Sequence, residues 1–111
     1  MKVVPRTLRT YVLPDGGIPF QEWLSELKVK KARAAILARI DRLRLGNFGD
    51  YKRLTEDLYE LRVHLRPGYR VYFAEIEEGI ILLLWGGTKH TQRKDIDKTR
   101  FYWDEFRSRQ P

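Results

Sequence analysis

The sequence predicts an α+β fold: a twisted, mainly antiparallel sheet with packed helices, in the order β-α-α-β-β-β-α. Three observations carry this. Apolar residues recur at helical spacing between Phe20 and Leu43. From Leu58 the apolar period changes to two. Beyond Gly86-Gly87 a helical period returns.

Arg6–Leu13 reads as a first strand, closed by the turn residues Pro14-Asp15-Gly16-Gly17. Pro19 then stands where the first turn of a helix tolerates proline. Phe20, Trp23, Leu24 and Leu27 follow at helical spacing and define a short first helix. A longer helix covers Val29–Leu45, with Ala32, Ala35, Ile36, Ile40 and Leu43 as its apolar stripe and Gly46 as its stop signal. Gly46–Thr55 reads as a polar connector.

In the next strand Tyr59, Leu61, Val63 and Leu65 alternate with Glu60, Arg62, His64 and Arg66. Pro67-Gly68 makes a turn, and Tyr69, Val71 and Phe73 then alternate with Arg70 and Tyr72. If both odd-numbered sets face the core, paired residues must sum to an even number. That requires an odd loop, and three residues around Pro67-Gly68 would serve. Arg62, His64, Arg66, Arg70 and Tyr72 then share one charged face, and a slip of one residue would bury all of it. Glu77-Glu78-Gly79 is a further turn. Ile80–Trp85 is apolar throughout, as expected of a central strand covered on both faces. Gly86-Gly87 is read as its end, Thr88–Arg93 as a polar loop and Lys94–Arg109 as a last helix. Ile96, Thr99, Tyr102, Trp103 and Phe106 face inward on that helix, and Trp85 is also assigned to the core.

The length of 111 residues corresponds to one domain, residues 1–111. The 22 Lys+Arg against 15 Asp+Glu leave a formal charge of +7, which favours polyanionic partners. The excess is concentrated in Lys28–Arg44, where Lys28, Lys30, Lys31, Arg33, Arg39, Arg42 and Arg44 meet the single acid Asp41. A solvated helix face explains such a run as well as a binding surface does. With no cysteine, a disulfide framework, a zinc ribbon and a thiol nucleophile are all excluded. No signal peptide is evident, and Ile80–Trp85 is far too short to span a bilayer. A cytoplasmic protein without a membrane partner is expected. The two histidines lack HExxH-like or carboxylate-rich spacing, so no metal site and no cofactor are expected. GxSxG and P-loop motifs are absent.

The segment Tyr59–Phe73, YELRVHLRPGYRVYF, resembles the heart of the RelE/ParE toxin superfamily. The stretch Leu82–Trp103, LLLWGGTKHTQRKDIDKTRFYW, is similar to the closing strand and last helix of its HigB-like "addiction module killer" branch. The resemblance covers nearly the whole chain and implies a small RelE-like fold. It also implies the toxin of a type II toxin–antitoxin module: a metal-independent endoribonuclease, or mRNA interferase. Such a toxin cleaves mRNA on the ribosome, inhibits translation, and is neutralised by a cognate antitoxin, often of the helix-turn-helix type. Carried over position by position, Arg70 matches the best-kept arginine of the family. Arg62 and Arg66 fall where basic residues are typical, and Lys89 falls where one follows the glycine turn. His64 and His90 match less closely, and no residue matches the C-terminal tyrosine that some members use.

The chemistry needs a base for the 2′-OH, an acid for the 5′-oxygen and cations for the charge building on phosphorus. Arginine suits the last role because its fork matches two phosphate oxygens. Histidine suits the first two because it titrates near neutrality. The catalytic candidates are therefore Arg62, His64, Arg66, Arg70, Lys89 and His90, with base and acid unassigned. Tyr72 could stack on a base. Arg93, Lys94, Arg39 and Arg42 complete the RNA-binding candidates. Arg70 has a structural reading as well, as the partner of a carboxylate such as Glu60, and His64 could be a plain surface histidine. Two other functions remain open: a ParE-like toxin that blocks DNA gyrase without catalysis, and a basic nucleic-acid-binding domain.

Overall fold

The computed structural model describes residues 3–111. Strand β1 (Thr7–Thr10) is followed by helices α1 (Pro19–Glu26) and α2 (Lys30–Arg44). Then come β2 (Tyr51–Arg53), β3 (Leu58–Val63), β4 (Tyr69–Glu77) and β5 (Ile80–Thr88), a 3-10 turn Lys89–Thr91, and α3 (Gln92–Ser108). The five strands form one sheet in the order β1-β5-β4-β3-β2. The β1–β5 pair is parallel and the others are antiparallel. The α+β class stands, with one more strand than the sequence reading assigned.

That strand is β2, inside the segment taken as a polar connector. It pairs with β3 through Tyr51↔Leu61 and Arg53↔Tyr59 and supplies the neighbour that β3 would otherwise lack at the sheet edge. Three residues are too few to show a period of two.

The parity argument holds for β3 and β4. Leu58 pairs with Ala74 and Val63 with Tyr69, both even sums, across a five-residue connection, 64–68. Odd positions of the hairpin face α1 and α2. There Tyr59, Leu61, Val63, Tyr69, Val71 and Phe73 join Phe20, Ile36, Ile40 and Leu43 in the larger core. Burying one such side chain contributes about 1.5–3 kcal/mol.

The even face is not the open charged surface expected from alternation. Helix α3 packs across it. Leu58, Ala74, Leu82 and Leu84 form a second core with Tyr11, Tyr102 and Trp103. Glu60 and Tyr72 are fully enclosed. Strand β5 runs between the two cores, with Ile81 and Leu83 on one side and Leu82 and Leu84 on the other, as expected of a strand covered on both faces.

Gly86-Gly87 does not end β5, which continues to Thr88. The glycines admit the helices instead. A Cβ on Gly86 would stand 2.3 Å from the Trp23 ring of α1, and one on Gly87 would stand 1.8 Å from Asp95 Oδ2 of α3. The polar loop expected over Thr88–Arg93 is consequently short, and α3 begins at Gln92.

Candidate functional site

The end of the sheet where β3 and β5 finish and β4 begins gathers most of the candidates. Arg62 and Arg70 are direct cross-strand partners. Both reach one buried carboxylate. Arg62 Nε donates to Glu60 Oε2 at 3.2 Å, and Arg70 Nε lies 3.7 Å from the same oxygen. The other oxygen, Oε1, accepts a 2.6 Å hydrogen bond from Gln92 Nε2 at the start of α3. Glu60 itself is 0% exposed. A buried carboxylate needs several partners to offset its lost hydration, and here two strands and a helix supply them. The pairing of Arg70 with Glu60, one of its two sequence readings, is present.

This pairing does not consume the arginines. The side chain of Arg62 is 32% exposed and that of Arg70 is 14% exposed. Arg70 Nη1 also donates to the Tyr69 carbonyl. Lys89 closes the cluster: its backbone N–H donates to the Gly68 carbonyl at 2.9 Å. Gly68 has φ +93, which suits glycine. A Cβ there would be 3.5 Å from the Lys89 chain and 3.6 Å from Arg70 Nη1, so both cations flank this loop. Arg66 is exposed within the same loop, and His90 is exposed beside Lys89. Arg93 and Lys94 are exposed on the first turn of α3.

Under that turn lies a second polar group. Asp95, which is buried, accepts hydrogen bonds from Trp85 Nε1 at 3.0 Å and from the Thr91 hydroxyl. A carboxylate in the first turn also suits the helix dipole. These bonds fix α3 against β5 and thereby place Gln92 over Glu60.

Four candidates stand outside the exposed cluster: Tyr72 and Arg39, which are buried, and His64 and Arg42, which line another groove. Tyr72 is 0% exposed, so it has no face on which a base could stack. Its hydroxyl meets no hydrogen-bond partner among the described residues. Burial pushes its phenol well above the usual range, reinforced by the Glu60 and Asp95 charges. Arg39 is also buried. Its Nε donates to the Arg62 carbonyl, and its Nη2 donates to the carbonyls of Phe48 and Asp50, all at 3.1 Å. It clamps α2 to β3 and to the β2 approach, and burial then lowers its pKa, with the Arg42 charge adding to the effect. His64 leaves the strand alternation, because β3 ends at Val63. Its Nε2 lies 2.5 Å from Asp50 Oδ2. With Arg42, Ala38 and Val63 it lines a groove along α2, away from the Glu60 group.

The sequence reading missed Gln92 as a support and saw Glu60 only as a possible partner of Arg70. The signal for Glu60 was available: an acid at an even position, on the face that also carries Leu58. Among the described residues no group of three His, Cys, Asp or Glu could hold a metal ion. No helix among them is long and apolar enough to cross a membrane.

An uncharacterised protein of Haemophilus influenzae is 44% identical over 89 residues, which are 80% of this chain and 90% of that protein. The family described as phage derived protein Gp49-like (DUF891) matches residues 22–101, from the first turn of α1 to within α3. That family is associated with toxin–antitoxin toxins of the HigB/RelE-like kind. The match spans well over half of the sequence, and the protein belongs to the phage derived Gp49-like family.

Proposed function

We propose that the protein is the toxin of a type II toxin–antitoxin pair and cleaves mRNA on the ribosome without a metal. The observation that carries the reading is the paired Arg62 and Arg70, held by a buried carboxylate and flanked by the exposed Lys89. Two cations on one carboxylate, with a third on the adjoining loop, leave a local positive excess suited to a phosphodiester.

In this reading a base takes the proton of a ribose 2′-OH, and the oxygen attacks the adjacent phosphorus. The 5′-oxygen leaves with a proton, giving a cyclic phosphate and a 5′-hydroxyl. Arg62, Arg70 and Lys89 stabilise the charge on the phosphoryl oxygens, and Arg66 adds a phosphate contact from the loop. His90, exposed beside Lys89, is the stronger acid–base candidate, because His64 is engaged with Asp50. A cognate antitoxin, often helix-turn-helix in the HigB-like branch, holds the toxin inactive in the cytoplasm.

The test is expression of wild type and Lys89→Ala, with primer extension to map RNA ends. Lys89 is exposed, so its loss leaves the fold intact. New RNA ends with wild type, at least about tenfold fewer with the variant, are expected for loss of one transition-state cation. Growth arrest without new ends would remove the nuclease reading, and accompanying DNA damage would point to gyrase.

A further inference from the structure

Edge strand β2 and the flank of α3 enclose a groove of about 330 Å³, lined by Lys52, Gln92, Arg93, Ile96, Asp97 and Arg100. It is continuous with the Glu60 group in two ways. Lys52 is the register partner of Glu60, and Gln92 both lines the groove and donates to Glu60. Gln92 and Arg100 stand eight residues apart on one helix, or about 12 Å. A stacked strand advances about 3.4 Å per nucleotide. The groove therefore accommodates several nucleotides leading away from the cluster.

Its charge is one-sided. Lys52, Arg93 and Arg100 face the lone acid Asp97. None of the three cations makes an ion pair or side-chain hydrogen bond among the described residues. Several other arginines are engaged: Arg53 with carbonyls of the β2–β3 turn, Arg109 with Glu105, Arg39 with three carbonyls. Ile96 is the one large apolar side chain lining the groove. A protein segment would need more apolar surface than that, whereas a phosphate backbone needs only the cations.

We propose that this groove holds single-stranded RNA on one side of the scissile bond, with Lys52, Arg93 and Arg100 gripping its phosphates. The inference rests on the RNA-cleaving reading but is tested by binding. The probe is a fluorescent single-stranded oligoribonucleotide with 2′-O-methyl riboses, which lack the attacking hydroxyl. Its affinity is measured by anisotropy across a salt series for the wild type and for Lys52→Ala/Arg100→Ala. Arg9→Ala, on the opposite edge strand, is the control.

Each single-strand phosphate contact contributes about 0.7 to the slope of log affinity against log salt. The double variant should flatten that slope by about 1.4 and bind more weakly at every salt concentration, while Arg9→Ala should change neither. An unchanged slope in the double variant, or an equal loss with Arg9→Ala, would overturn the groove and leave the cleavage reading standing. Groove-dependent binding by a protein that produces no RNA ends would overturn cleavage and keep the groove. A wild type that does not bind the probe would overturn the groove, and unmodified RNA in the primer-extension assay would decide cleavage separately.

Discussion

Arg70 and Arg39 look alike in the sequence, each a basic residue at the border of an apolar pattern. They end in opposite situations. Arg39 spends its guanidinium on three backbone carbonyls and is enclosed. Its remaining Nη1 is roofed by Gly49, where a Cβ would come within 2.7 Å. Arg70 leans one edge on the Glu60 carboxylate and one nitrogen on the Tyr69 carbonyl, and stays partly exposed. A guanidinium carries five N–H donors, so what it can offer a ligand is what the fold leaves over. Carbonyls on every side make a clamp. A carboxylate behind makes an aimed cation.

The largest effect should come from removing the support behind Arg70. Glu60→Ala leaves two neighbouring guanidinium groups without their shared carboxylate and breaks the Gln92 bond. Breaking a buried pair this way costs about 3–5 kcal/mol, and the partial exposure of Arg62 places the expectation near the lower end. Urea unfolding measures it. A loss below about 1 kcal/mol would mean that the carboxylate does not hold the cluster. Next comes the clamp. Arg39→Met keeps the buried stem but strands the carbonyls of Arg62, Phe48 and Asp50. A cost of about 2–3 kcal/mol is expected, because each unsatisfied buried group costs about 1–3 kcal/mol and part of this cost is recovered by water. An Arg39→Met protein as stable as wild type would dissolve the distinction between the two arginines.

Much of this contrast was hidden in the sequence for a physical reason. Alternation shows that a strand has two faces, but not what covers each. It placed Arg62, Arg70 and Tyr72 together correctly and left open whether that face met water or a helix. Helix α3 settles the matter by covering Glu60 and Tyr72 while its N-terminal turn stops short of Arg62 and Arg70. The α2 stripe of Ala32, Ile36, Ile40 and Leu43 was legible because one period describes one buried face. Arg39 was not, because its partners are backbone atoms far along the chain. His64 continued the pattern of the letters but not the strand, which ends one residue before it.

Gly86-Gly87 failed in another way, since glycine pairs signal turns as readily as close approach. Here the sheet needs room on both sides at consecutive positions. Gly87→Ala is the sharper test, because its methyl would collide with the Asp95 carboxylate that anchors α3. A loss of about 1–3 kcal/mol is expected from overpacking as α3 and Gln92 shift. Gly87 is not among the positive-φ glycines, so a loss there reports the close approach of α3 rather than backbone strain, and a Gly87→Ala protein as stable as wild type would mean that α3 moves aside at no cost.

The smallest effect belongs to Tyr72. Its hydroxyl is buried without a hydrogen-bond partner among the described residues, so Tyr72→Phe removes an unsatisfied group and should change stability by less than about 1 kcal/mol at neutral pH. The pH dependence separates this from a supporting role. Burial and the Glu60 and Asp95 charges raise the folded phenol above the unfolded value of about 10. Above that pH the unfolded chain releases a proton that the folded chain retains, so wild-type stability falls as pH rises. Tyr72→Phe should lose less stability than wild type between pH 8 and 11, a window in which Tyr11 titration adds the same slope to both proteins. A large loss at pH 8 would instead mean that the hydroxyl helps hold Glu60. The carboxylate behind the aimed cations would then be held by the Tyr72 phenol as well as by Gln92 of α3.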